Sequence, residues 1–335
     1  MNTLPPSTLP ALGLDIAKVK FDAALLHDET VRHQVFANTA AGYGELQAWL
    51  TAHGITKAQV CLEATNTYGV GVATALHAAG HRVSIINPAR LKAYAQVTMT
   101  RTKTDKSDAV LLARFGRQEA LPQWQPAAAS LATLQALARR MEAVHQLRQQ
   151  EANRLDSLTE ALVRASIERL LAGFDAEIAQ LETAIQTHLQ AHEAVQQQVA
   201  LLDSITGIGP ATAVQVLAEV QNWEAYASAR QLTAQAGLTP KQKESGSSVH
   251  GQPRLSKMGS ARLRKILYFP AIVATRWNPV IRALAERLIE KNKPKMVIIG
   301  AAMRKLLTLI YGVLKSGVPF DPNYRVANAK PTPAA

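Results

Sequence analysis

A single cysteine, Cys61, is all the thiol chemistry these 335 residues hold, which excludes a disulfide scaffold and any Cys-built zinc site. No apolar run reaches the ~18–20 residues that a membrane span requires. Met1 to Pro10 lack the basic start and apolar stretch of a signal peptide. Aromatic residues make up only 5%, and there is no zinc-finger or basic-zipper signature. With 47% hydrophobic residues and a mean hydropathy of -0.04, the chain is neither disordered nor an integral membrane protein. The expectation is a soluble, cytoplasmic protein of two domains, or two plus an extended element.

Negative charge is scarce in one half of the chain. The net charge is +12, yet residues 1–200 hold 18 Lys and Arg against 18 Asp and Glu. Residues 201–335 hold 19 against 7, so the entire excess lies there. Between 225 and 285 there are ten basic residues and one acid, Glu244. A basic excess confined to one region suits a polyanion, nucleic acid first; a merely solvated basic face has the same composition.

The first ~120 residues alternate strand and helix signals. Leu12–Ile16, Phe21–Leu26 and Val31–Phe36 read as three consecutive strands. A helix over 42–53, a strand over 60–63, a helix over 68–79, a strand over 83–86 and a helix over 105–116 follow. That order is the order of a ribonuclease-H-like α/β domain, expected over 11–125 after a disordered start at 1–10.

The middle lacks proline altogether from Ala127 to Gly209, and Gly173 is its only glycine before Gly207. Leu131, Leu134, Ala138, Met141 and Val144 step by three and four, as do Phe174, Ile178, Leu181, Ile185 and Leu189. The spacing predicts a long antiparallel coiled coil over 126–203, hinged near Gly173-Phe174-Asp175. Its first helix, of ~40 residues and ~60 Å, would project and meet another chain. Residues 204–320 read as a mainly α-helical domain. It opens on Gly207-Ile208-Gly209-Pro210, a turn that either meets a phosphate or simply joins two helices. Residues 241–251 read as a polar loop with three serines, Ser260–Lys265 as the start of a basic helix, and 321–335 as a disordered tail.

Four acids stand where acids are costly. Asp15 lies in an apolar first strand, Glu63 ends the fourth, and Asp105 and Asp108 share a helix face. Singly, each has a structural role open to it: Asp105 as helix cap, Asp108 against the dipole, Glu63 as cap of the next helix, Asp15 as a turn residue. Together, in a fold that sets strands one and four side by side under the last helix, they converge. So many carboxylates need a cation between them, and oxygen-only donors favour Mg²⁺, with Mn²⁺ able to substitute. Two such ions ~3.5–4 Å apart suit phosphodiester chemistry.

Leu12–Lys18, Leu62–Thr65 and Arg101–Ala109 resemble the three catalytic blocks of the DEDD transposases of the insertion sequence 110 (IS110) family. Gly207-Ile208-Gly209 with Thr212-Ala213, then Ala236–Pro240 and Ser245-Gly246, resemble that family's second transposase domain. The likeness spans about Leu12 to Trp277. It implies a RuvC-like N-terminal domain in which Asp15, Glu63, Asp105 and Asp108 are catalytic and bind metal. It implies a serine nucleophile that forms a phosphoserine with DNA, landing on Ser245. The family's aromatic-Ser-Ser-Gly run is here Lys243-Glu244-Ser245-Gly246-Ser247-Ser248, which leaves Ser247 and Ser248 as alternatives. It further implies a structured bridge RNA pairing with donor and target DNA, and a composite site between subunits of a homo-oligomer, a dimer or at synapsis a tetramer. Lys241, Lys243, Arg254, Lys257, Arg262, Arg264 and Lys265 are the candidates for phosphate contacts, with no membrane involved.

The function so implied is a recombinase that moves an insertion sequence in a bacterial-type cytoplasm, at the nucleoid. The alternatives are a RuvC-like metal-dependent nuclease or resolvase that uses water, and a nucleic-acid-binding coiled-coil protein with an inactive site.

Overall fold

A computed structural model describes residues 8–64, 67–100, 104–245 and 249–323, with the backbone alone at Thr67, 242–245 and 249–253. The disordered ends expected at 1–10 and 321–335 fall largely outside these residues. The chain divides into two compact units, Met1–Pro126 and Ala127–Ala335.

The first unit is a five-stranded sheet with helices on both faces. Its strands are β1 (Ala11–Ile16), β2 (Lys20–His27), β3 (Thr30–Ala37), β4 (Gln59–Glu63) and β5 (Arg82–Ile86), in the order β3-β2-β1-β4-β5. β1 to β3 form an antiparallel meander, while β4 lies parallel to β1 and β5 parallel to β4. The expected adjacency of the first and fourth strands is therefore present. Helices α1 (Ala40–Ala52), α2 (Val70–Ala78), α3 (Pro88–Val97) and α4 (Asp105–Gln118) complete it. The sequence reading ended β5 at Asn87-Pro88 and missed α3. The structure uses that pair as a helix start, with Asn87 accepting from the Ala89 N–H and Pro88 in the first turn.

Strand alternation decides what each face buries. Leu12, Leu14, Phe21, Leu25, Val60 and Leu62 pack with Leu46 and Leu50 of α1 and Val72 and Leu76 of α2. On the opposite face lie Ala11, Gly13 and Cys61, covered by α4 through Ala109, Leu112, Ala113 and Gly116. α4 comes in very close. A Cβ on Gly13 would lie 2.0 Å from the Ala109 carbonyl oxygen and 2.3 Å from the Ala113 nitrogen. Gly13 is thus required by backbone-to-backbone approach. Gly116 does the same against Cys61, which is fully buried, its thiol pushed up to about 12 by burial.

The second unit opens with a helical hairpin, α5 (Ala129–Leu155) and α6 (Ala161–Ala191). Pairing of Arg148 with Asp175 and of His188 with the Ser130 carbonyl sets the two helices antiparallel. The expected hinge at Gly173 is not there: α6 runs through it unbroken, and the turn falls at 156–160. A lone helical glycine costs only about 1 kcal/mol, whereas Asp156-Ser157 offers turn chemistry. Arg164 then ties off the end of α5 by donating to the Leu155 and Leu158 carbonyls. With 27 residues α5 is about 40 Å long, short of the expected ~60 Å. Its stripe Leu131, Leu134, Ala138, Met141 and Val144 is buried as the spacing predicts. Toward the turn, Leu147, Leu162, Val163 and Leu170 stay exposed.

The base of the hairpin shares one core with α7 (Glu193–Asp203), α8 (Pro210–Val220), α9 (Ala229–Gln235), α10 (Ala261–Trp277), α11 (Pro279–Glu290) and α12 (Lys295–Ser316). α12 is long and apolar enough to cross a membrane, but ten of its residues are buried in this core. Gly207, at a φ of +107°, turns the chain between α7 and α8, and a Cβ there would come within 2.9 Å of Ala274. Between α9 and α10 lies a hairpin, β6 (Pro240–Ser245) and β7 (Val249–Leu255), where the sequence reading placed a loop.

Candidate active site and basic face

Every acid named from the sequence in the first unit lies on the α4 face or on α4 itself. In β1 the face that presents Ala11 and Gly13 to α4 presents Asp15 two residues on, and in β4 Glu63 follows Cys61 in the same way. α4 is capped by Thr104, whose hydroxyl accepts from the Ser107 N–H while the Ser107 hydroxyl accepts from the Thr104 N–H. With that cap complete, Asp105 is not needed as the cap. After Glu63 a 3-10 turn at Thr67–Gly69 leads into α2, with Gly69 as the N-cap residue of α2. The cap role open to Asp105 is thereby filled by another residue.

The charge density is felt most by Asp15. Its carboxyl is pushed up to about 6, first by burial and then by Asp108, Asp105, Asp22 and Glu63. Asp22 is a fifth acid, missed in the sequence. It faces Asp15 directly across the antiparallel pair and is almost wholly buried. His33 Nε2 lies 2.7 Å from its Oδ1. The signal was present, an acid inside the second apolar strand, but pairing register was needed to place it opposite Asp15. Lys20 supplies positive charge, its Nζ donating to Asp105 at 3.1 Å and to Asp22 at 3.5 Å. Among the described residues no three acids, histidines or cysteines are gathered tightly enough to form a ready metal cage. The donor set itself, carboxylate oxygens gathered around Asp15, fits a hard divalent cation.

In the second unit the candidate cations separate into two groups. Lys241, Arg254 and Lys257 are exposed. Arg262 pairs with Glu142 at 3.0 Å and approaches Glu219 at 3.6 Å, while Lys265 pairs with Glu142 at 2.7 Å. Arg139 grips Glu219 with both ends of its guanidinium, at 2.9 and 3.2 Å. Burial raises the Glu142 carboxyl, but Lys265, Arg262 and Arg139 outweigh it and hold it below the usual range. Arg264 donates to the carbonyls of Ala236, Gly259 and Ser260. Three of the seven candidates thus hold α10 to its neighbours. Ser245 is the last residue of β6, paired with Val249; the Lys243 side chain, Ser247 and Ser248 lie outside what is described.

A carboxylate-lined α/β sheet followed by a basic helical unit is the build of a DNA-processing enzyme, and comparison with known proteins gives its kind. A transposase family model of the DEDD IS110 type matches residues 12–163, and the model of the transposase IS116/IS110/IS902 family matches residues 199–286. The pilin gene-inverting protein of Moraxella bovis is 35% identical over 315 residues, 92% of this chain and 97% of that protein. Its counterpart from Moraxella lacunata is also 35% identical over 315 residues, with the same coverage. An insertion element IS110 uncharacterized 43.6 kDa protein of Streptomyces coelicolor is 26% identical over 141 residues, 42% of this chain and 34% of its own. The chain belongs to the IS110 family of transposases.

Proposed function

We propose that the protein cuts and rejoins DNA through a metal-binding carboxylate site in its first unit and a serine nucleophile in its second. The observation that carries this reading is the half-burial of Asp15 beside Asp22, Glu63, Asp105 and Asp108, where the sheet meets α4. Asp15, Glu63, Asp105 and Asp108 would hold Mg²⁺ or Mn²⁺, which supplies charge neutralisation at the scissile phosphate. Ser245 would then attack phosphorus: a P–O bond to the serine forms, the P–O bond to one DNA strand breaks, and the serine proton leaves with that strand's hydroxyl. Attack by another strand's hydroxyl reverses the exchange and restores the serine, with no net change in bonds. Lys20, bonded to Asp105 and Asp22, positions these two carboxylates.

Sequence choice is delegated to a structured RNA pairing with donor and target DNA, which suits a second unit whose exposed cations grip backbones. A homo-oligomer, dimer or tetramer, is supported by the hairpin, whose apolar Leu147, Leu162, Val163 and Leu170 lie exposed toward its turn. Its place of action is the cytoplasm, at the nucleoid. Inversion of a DNA segment, rather than movement of an insertion element, is a second reading. The full-length match to pilin gene-inverting proteins favours it, since the insertion-element relative from Streptomyces matches only 42% of the chain.

Covalent trapping tests the proposal. The full-length protein, Mg²⁺, RNA transcribed from the DNA flanking its gene, and donor and target DNA are combined, and adducts are mapped by mass spectrometry. The expected result is a DNA adduct at Ser245 that is absent in Ser245→Ala and in Asp105→Ala. An adduct at Ser247 or Ser248 relocates the nucleophile, and cleavage with no adduct replaces the recombinase by a water-using nuclease.

A further inference from the structure

The second unit contains a cavity of about 820 Å³, within the ~300–1,000 Å³ range of ligand sites. Its floor is apolar, formed by Leu238, Leu255, Leu284, Met296 and Val297. Gly300 and Ala301, one turn further along α12, leave the dent that gives it depth; a Cβ on Gly300 would come 3.1 Å from the Leu255 side chain. Four cations rim it: Arg254 and Lys257 from the β7 side, and Arg304 and Lys305 from α12. Among the described residues no acid lines the cavity, and none of the four cations has a carboxylate partner, unlike Arg262 and Lys265.

An apolar floor under an unpaired cationic rim matches the two halves of a nucleotide, a flat base and a charged phosphate. We propose that this cavity receives the base of an unpaired deoxynucleotide, with the flanking phosphates on Arg254, Lys257, Arg304 and Lys305. DNA is favoured over RNA because, among the described residues, Thr308 is the only uncharged polar side chain in the lining, leaving little to recognise a 2′-hydroxyl. The cavity lies at the Pro240 end of the β6–β7 hairpin, with Ser245 at the other end, about 17 Å along the strand. The inference rests on the chain's acting on DNA and does not depend on Ser245 being the nucleophile.

Equilibrium binding by the full-length protein tests it without any strand transfer, so its outcome is separable from that of the trapping experiment. The probes are a DNA duplex with one unpaired 2-aminopurine, the same duplex fully paired, and the RNA equivalent of the first. The wild-type chain should prefer the unpaired DNA about tenfold over the paired, with a change in 2-aminopurine fluorescence. Ala301→Phe, which fills the cavity and keeps every charge, should bring that preference close to one. Val297→Trp repeats the test from a partly exposed position, and thermal melting verifies that each variant is folded. Arg304→Gln with Lys305→Gln should weaken binding to both DNAs and make the log K against log salt slope shallower by about 1.4 to 1.8. Equal binding of paired and unpaired DNA, a preference that survives both filling variants, or equal preference for the RNA probe would each overturn the proposal.

Discussion

The two units treat charge in opposite ways. In the first, acids gather around Asp15 where β1 meets α4, and burial first, then these neighbours, raise its pKa to about 6. In the second, cations are spread over several elements, and three of the seven suspected of binding phosphate hold the fold together instead. Accumulated like charge is costly to a fold, and that cost is the ground for the metal site proposed above. Basic side chains on helices serve both ends, and composition alone does not separate them.

Mutations can break this contrast, the largest effect coming from the acids. Asp108→Asn should leave melting and DNA binding near wild type while strand cleavage falls about a thousandfold, measured in Mg²⁺ with labelled DNA. Lys265→Gln in the second unit should change cleavage little. Gly13→Val separates α4 from β1 and should cost roughly 3 kcal/mol in urea denaturation of the full chain, with loss of cleavage in the same variant. Glu219→Ala leaves Arg139 and Arg262 without their shared carboxylate and should cost roughly 2 kcal/mol, with cleavage per folded molecule unchanged.

The smallest effect sharpens the comparison through pH. His81 is buried, its Nδ1 accepting from the Ala58 N–H and its Nε2 beside Gln47, and burial lowers its pKa below 6.5. Above pH 6.5 the ring is neutral in both folded and unfolded chains. Below that the unfolded chain takes up a proton that the folded one resists, so this ring's own contribution is destabilising as the pH falls from 6.5, opposite in sign to that of Asp15, whose raised pKa lets the folded chain take up a proton first. His81→Asn, which keeps an acceptor for Ala58, should remove the ring's contribution and so make the variant relatively more stable toward pH 5 than the wild type, in thermal melts between pH 5 and 7.5.

The sheet was legible because strands announce themselves by alternation, and the acids because each interrupts it. Register was not, and so Asp22 was overlooked although it stands opposite Asp15. The hairpin turn is not legible, because Gly173 mimics a break that a helix tolerates while the real turn is marked by Asp156, Ser157 and the reach of Arg164. The β6–β7 hairpin was hidden because its polar residues lack any apolar face to alternate with. Arg304 and Lys305 were passed over inside an otherwise apolar core helix, where only the cavity beside them reveals what they face.

Lys20 is the chain's own counterion. Its ammonium bonds Asp105 and Asp22 from a solvent-exposed position, where screening makes the bonds weak and quickly remade. A newly synthesised molecule can therefore fold around its acidic face with Lys20 alone as counterion, on a tether weak enough to give way to a divalent ion if the proposed site takes one. On that proposal, folding would come before arming.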